Sequence, residues 1–235
     1  MPMWKPSTIW SNLDAFVLGG GSSLRGFDWS LLVGERVVGC NQAFRLGAAV
    51  CKFVVFCDRK VMYERDKRPR AGFYGAMAKY AETGTLVTTD PMLRTAREQW
   101  LKWMPRKSSG LHRDALGFNC NTGMSALNLA LLLGATTVYL LGFDMHLDGA
   151  GRPNWHDNVI DNPNAAVYGR MIRYCGQVAR DLPRVFPGCQ VYNVTDDSAL
   201  DAFPKVAVDT FWKDRRRESD SIDAKTEGRV LAIGV

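Results

Sequence analysis

Residues 121–149 read NTGMSALNLALLLGATTVYLLGFDMHLDG. The first part is rich in Ala and Leu, which predicts a helix over Thr122–Leu133 closed by Gly134 as its C-cap. Thr137–Leu141 then forms a β-branched, apolar run of strand length that ends on Gly142-Phe143-Asp144. A run of this kind, apolar on both faces, suits a strand buried between helix layers. Working outward, similar short runs recur at Ala15–Leu18, Arg36–Gly39, Phe53–Cys57, Leu86–Thr88 and Gln190–Tyr192. Helical patterns separate them at Ala71–Tyr80, Pro91–Trp103 and Asn164–Leu182, the last expected to stop at Pro183. This alternation predicts an α/β protein: a Rossmann-like, mostly parallel sheet with helices on both faces, in a single domain over residues 1–210. Past Phe211 the texture changes to WKDRRRESDSIDAKTEG, so 211–235 is expected to be a charged C-terminal tail.

Composition bounds the rest. The chain has 235 residues, 46% hydrophobic and 23% charged, enough to bury a large core. No apolar run approaches the ~18–20 residues that a membrane helix needs. The start, MPMWKPSTIWSNLD, lacks a basic n-region and a long apolar core, which predicts no signal peptide and a cytoplasmic protein. The six cysteines form no CxxC pair and read as structural thiols rather than disulfides or zinc ligands. The net charge of +6 is concentrated: Lys52–Arg70 holds seven basic and three acidic residues, and Lys102, Arg106, Lys107 and Arg113 form a second cluster. Either cluster is a solvated surface or a place where phosphates or a polyanion dock.

Five short elements carry candidate chemistry. Gly19-Gly20-Gly21-Ser22-Ser23 follows the first strand directly, where successive N–H groups can cradle a phosphate or the glycines simply make a tight turn. It is not GxGxxG, because Leu24 stands at the third glycine position, and no GK[ST] follows to make a P-loop. Asn41 and Gln42 emerge at the end of the second strand, where amides read base edges or hydroxyls, or Asn41 caps a helix. Thr122-Gly123 opens the strongest helix, with Thr122 as its expected N-cap and the helix N-terminus as an anion site. Asp144 ends the Thr137–Leu141 strand, where ligands of open α/β sheets bind. It suits a ribose hydroxyl, a histidine or, together with His146, a magnesium ion. Finally, His156 lies in the polar loop Asn154-Trp155-His156-Asp157, and its ordinary near-neutral pKa suits a general base.

These elements, in this order, resemble the bacterial lipooligosaccharide sialyltransferases and the wider sialyltransferase-like Rossmann domains. That group includes motility accessory factors, archaeal hydroxymethyl-dihydropterin pyrophosphokinases and phage proteins. The matching pieces are LGGGSSLRGFDWSLL, VVGCNQAF, the block from Asn121 to Gly149, and VYNVTDDSALDAFP, spanning about Ala15 to Pro204. The resemblance implies a transferase using a nucleotide-sugar, with a CMP-sugar favoured, by an inverting mechanism that needs no metal. It implies nucleotide contacts from Gly19, Gly21, Ser23, Asn41, Thr122 and Gly123, and His156 as catalytic base. Gly20 stands where those enzymes carry Asn, and His146, the second catalytic candidate, where they carry a tyrosine that assists the leaving phosphate, a role in which the imidazole would donate a hydrogen bond to that phosphate. The pyrophosphokinase relatives imply a different reading, with magnesium held by Asp144 and Asp148 and pyrophosphoryl or nucleotidyl transfer as the reaction. A nucleotide-binding module without chemistry is the third reading, and nucleic acid, an unknown acceptor or a second copy of the chain are the partners left open.

Overall fold

The computed structural model describes residues 2–158, 160 and 163–215. In chain order the strands are β1 (Asp14–Leu18), β2 (Val37–Cys40), β3 (Phe53–Phe56), β4 (Thr85–Thr88), β5 (Lys102–Trp103), β6 (Arg106–Lys107), β7 (Leu116–Gly117), β8 (Thr137–Leu141) and β9 (Gln190–Asn193). The α-helices with defined limits are α1 (Tyr74–Tyr80), α2 (Thr122–Leu132) and α3 (Ala165–Val185), and residues 208–215 are also helical. Seven strands form one parallel sheet in the order β5-β4-β3-β2-β1-β8-β9, and β6 and β7 make a small parallel pair beside it. The protein is an α/β single domain of Rossmann-like type, as the alternation predicted.

Burial alternates along the central strand. Ala15 and Val17 point into the core beneath α2 and α3, while Phe16 and Leu18 point into the opposite core. On the first side α2 is buried from Gly123 to Leu131, and α3 contributes Cys175, Val178 and Leu182 at helical spacing. On the second side the β1–β2 and β2–β3 crossovers are 3-10 turns, Ser22–Leu24, Trp29–Leu32 and Asn41–Leu46, rather than helices. That face is roofed by these turns, α1 and the segment 208–215. Trp212 stacks on Phe16 at 5.7 Å, and Arg215 pairs with Glu35 at 2.9 Å and Asp14 at 3.4 Å. Residues 211–215 of the expected tail are therefore packed against the body, while 216–235 lie outside the described residues.

Two helical expectations need correction. Pro91–Trp103 is a single 3-10 turn, Pro91–Leu93, capped by the Asp90 side chain, after which the chain turns and pairs as β5. The sheet edge along β4 decides this stretch, because Lys102 and Trp103 gain strand partners there. The long helix α3 runs past Pro183 to Val185, since burial of Leu182 and Phe186 and the Phe186 N–H bond to Leu182 carry the last turn. All six cysteines are unpaired thiols. Among the described residues no helix is long and apolar enough to cross a membrane.

Candidate active site

β1 lies between β2 and β8, and the connections leaving its C-terminal end and that of β8 depart toward opposite edges of the sheet. Such a switch point leaves a crevice above the strand ends. Here it is a cavity of about 480 Å³. Gly19, Gly20, Gly21, Asn41, Gln42, Thr122, Asp144, His146 and His156 all line it, while Ser23 and Gly123 do not. The five sequence elements thus meet at one rim although 137 positions separate Gly19 from His156.

The glycine-rich turn is built chiefly for close packing. A Cβ on Gly19 would stand 2.3 Å from the Gly142 carbonyl oxygen, and one on Gly21 would stand 2.2 Å from Asp144 Oδ1. Gly19 and Gly21 donate their N–H groups to the Leu141 and Gly142 carbonyls. Asp144, 2% exposed, closes the clamp: it accepts the Ser23 N–H at 2.8 Å, the Ser23 hydroxyl at 2.5 Å and the Ser22 hydroxyl at 3.2 Å. Ser23 and Asp144 therefore position the turn in this structure, their polar groups spent on each other. Asp148 is likewise taken up: Arg152 bonds it through N–H and guanidinium, and these bonds, the Arg152 N–H foremost, hold its pKa below the usual carboxylate range. Both carboxylates considered for magnesium are engaged this way. Among the described residues no group of three or more His, Cys, Asp or Glu is arranged to hold a metal ion.

The rim on the α2 side corrects the capping expectation. Asn121, not Thr122, is the N-cap, its side chain accepting the Gly123 N–H at 2.8 Å. Thr122 is the first helical residue and lines the cavity beside this end. Gly123 is a packing position, since a Cβ there would meet the Phe143 ring at 2.7 Å. The loop before α2 is pinned from below: Asn128 accepts the His112 and Gly117 N–H groups, and Ser125 donates to the Gly117 carbonyl. Cys120 at φ 53° and Met145 at φ 60° both sit in the left-handed region at the cavity wall. For a non-glycine residue that costs on the order of 1 kcal/mol, strain that surrounding contacts must hold.

At the end of β2, Asn41 adopts φ 51° and lines the cavity, and the N-cap of the following turn is Cys40 rather than Asn41. Gln42 is buried and already bonded, donating to the Asn158 carbonyl and accepting from Arg45 at 3.0 Å. It tethers the segment carrying His156. Further ties hold that segment: Trp155 N–H to the Gly20 carbonyl at 3.1 Å, Arg25 to the Asn154 carbonyl at 3.1 Å and to Asp157 at 2.6 Å, and Trp155 edge-on to Trp29 at 5.2 Å.

The two cavity histidines differ. His146 places Nδ1 2.8 Å from the Leu147 carbonyl and Nε2 2.5 Å from the Asp197 carbonyl. These two acceptors, Leu147 first, raise its pKa above the ordinary value. His156 has a buried Nδ1 with no hydrogen-bond partner. Burial, followed by the charge of Arg45, pushes its pKa down to about 4, so it is a neutral imidazole at pH 7. That overturns the near-neutral expectation, whose model was a solvated loop.

The sequence singled out neither Asp58, just past β3, nor Phe118, Tyr168 and Met171, and it offered Lys60 only as part of the Lys52–Arg70 cluster, yet all five line the cavity. Asp58 was findable, because it directly follows a strand on the same rim as Asn41. Tyr168 and Met171 were not, since only the packing of α3 brings them there.

No protein-family model matches the chain, and no curated protein matches it by sequence. Solved structures do. The MAf glycosyltransferase from Magnetospirillum magneticum AMB-1 aligns with a TM-score of 0.55 at 16% identity over 87% of this chain. The chain spans about a third of that structure, 35% of its length. The sialyltransferase CstII from Campylobacter jejuni, solved with cytidine-5'-monophosphate, aligns with a TM-score of 0.48 at 14% identity, over 83% of this chain and 84% of that one. The first of these likenesses shows a shared fold.

Proposed function

We propose that this protein is a nucleotide-sugar-dependent glycosyltransferase, sialyltransferase-like and inverting, that works without a metal and favours a cytidine nucleotide-sugar. The observation that carries the reading is the convergence of the Gly19–Gly21 turn, Asn41, Thr122 and His156 on one cavity at the sheet's switch point. The motif order along the chain supports the donor class, and the fold shared with a glycosyltransferase is in keeping with it.

In this reading the nucleotide lies against Asn41 and the turn after β1. Its phosphate meets the positive end of α2 beside Thr122, where backbone N–H groups and the helix dipole favour an anion. Neutral His156 takes the acceptor hydroxyl proton as the acceptor oxygen bonds to the anomeric carbon. The bond from that carbon to the phosphate oxygen breaks on the opposite face, and its electron pair leaves with the nucleotide monophosphate. The Arg25 and Arg45 charges help hold the imidazole pKa down, so a bound phosphate that offsets them raises it toward the working pH. Base strength then arrives with the ligand. His146, with both ring nitrogens on carbonyls, orders the loop at the cavity wall and has no ring N–H left to give the leaving phosphate.

The test is His156→Ala measured against a panel of CMP-sugars, UDP-sugars and free nucleotides. The expected result is CMP binding within about threefold of wild type, with turnover lost. Wild-type turnover in the variant would remove His156 from the chemistry, and indifference to CMP would remove the cytidine donor. The magnesium-dependent reading has less to rest on, because Asp144 and Asp148 are engaged by Ser22, Ser23 and Arg152.

A further inference from the structure

Charge is distributed unevenly outside the crevice. Residues 58–70 and 91–107 together hold eleven Lys and Arg against four Asp and Glu, while the rest of the chain holds nineteen against twenty. The entire positive excess thus sits in two segments. They leave the C-terminal ends of β3 and β4 and run through β5 and β6. They also meet in space: Asp90, the residue just before the second segment, accepts the Arg59 N–H at 3.0 Å, the Tyr63 hydroxyl donates to Glu98, and Arg106 lies 3.6 Å from Asp58.

The cations face solvent and the carboxylates largely do not. Arg59, Lys60, Arg65, Lys67 and Arg68 are exposed on the first segment. Arg94, Arg97, Lys102, Arg106 and Lys107 are exposed on the second. Of the four carboxylates, Glu98 is 2% exposed, Asp58 and Glu64 are half-buried, and Asp66 alone is exposed and lies against Arg68. Half-buried rings lie among the cations, with Arg97 4.9 Å over Tyr74 and Arg94 4.2 Å over Trp103. This shelf runs into the cavity: Asp58 and Lys60 line it, and Arg106 sits 5.1 Å over Phe118, another lining residue.

We propose that the shelf binds a strand of nucleic acid and presents it to the cavity, so that the acceptor of the transfer is carried on nucleic acid. The binding statement stands on the shelf alone, and the acceptor statement rests also on the proposed glycosyl transfer. Guanidinium forks pair with phosphodiester oxygens bidentately, and cations interleaved with aromatic rings are the pattern that holds single strands. An anionic membrane is a poorer fit. It calls for an apolar edge to insert, and among the described residues Met92 is the one exposed large hydrophobic side chain on the shelf.

The test uses a fluorescent single-stranded oligonucleotide and the full chain, read by anisotropy. If roughly five phosphates are engaged, affinity falls about 100-fold between about 50 and 200 mM salt. The combined variant Arg65→Glu, Lys67→Glu, Lys102→Glu, Lys107→Glu changes only exposed positions outside the cavity lining. It should lose at least about 100-fold in oligonucleotide affinity while keeping the wild-type melting shift with CMP. Equal binding by wild type and variant overturns the proposal, as does tighter binding to heparin or to phosphatidylserine vesicles than to the oligonucleotide. Oligonucleotide bound through the shelf with no response to any nucleotide-sugar upholds the shelf and sinks the transferase. The reverse result keeps the transferase and removes the shelf.

Discussion

His146 and His156 stand ten residues apart in the connection from β8 to α3, and both line the same cavity, yet their surroundings are opposite. His146 gives both ring nitrogens to backbone carbonyls, so the protein favours its protonated form. His156 is half-buried with its Nδ1 enclosed, edge-on to Trp155 and under the charge of Arg45 and Arg25, so the protein favours its neutral form. Lining the cavity is not enough for the base role proposed for His156, which needs an unspent nitrogen in a neutral ring. The same contrast divides the cavity's acceptors, since Asp144 lines it with its carboxylate spent on serines and Asn41 lines it from a left-handed backbone.

The largest expected effect tests the comparison directly. His156→Ala should lower turnover by about 10²- to 10⁴-fold, the range for a general base, while His146→Gln should change it far less. Equal losses in the two variants, read by steady-state kinetics with a CMP-sugar, would break the contrast. Next in size is Gly21→Ala, whose Cβ is driven into Asp144 Oδ1 and the Gly142 carbonyl. It should cost about 3 kcal/mol by chemical denaturation, and a near-neutral change would mean that the clamp yields easily.

His146→Gln should cost about 1 kcal/mol, for hydrogen bonds that the imidazolium makes and glutamine only partly replaces. Because the folded pKa of His146 is raised, its stabilisation is complete below the unfolded pKa of about 6.5 and fades as pH rises through the folded value. The gap between wild type and variant should therefore narrow from mildly acidic to mildly alkaline pH. His156 has the opposite sign. Its lowered pKa makes the unfolded chain the better proton binder between about 6.5 and 4, so wild type loses stability relative to His156→Ala as pH falls through that window. The smallest effect is spectroscopic: imidazole NMR titration should place His156 near 4 and His146 above the ordinary value, and a shared midpoint would erase the distinction.

Legibility in the sequence followed the range of the interactions. The strands were readable at Thr137–Leu141, Phe53–Cys57 and Ala15–Leu18 because each is a short apolar run, and α2 because its Ala/Leu content is local, although its caps were misplaced. Pro91–Trp103 misled because its spacing suits a helix, whereas the open edge of β4 offered its last residues strand partners. The 3-10 crossovers after β1 and β2 were unreadable for a similar reason: the space above the sheet is filled by Phe211 and Trp212 from the far end of the chain. For the site, residue types and their place at strand ends marked Gly19, Gly21, Asn41 and Asp144, a helix start marked Thr122, and a polar loop marked His156. What each group is bonded to was invisible, because Ser23 meets Asp144 across 121 positions and Gln42 meets Asn158 across 116.

The sequence by itself determined which segments enter the sheet and which side chains stand at its rim, since both follow from apolar periodicity and from polar residues placed just after it. Only the tertiary structure decided which of those rim groups keep a free valence. Hydrogen-bond partners and desolvation are set by neighbours in space, and for Asp144, Gln42 and His156 those neighbours come from distant parts of the chain.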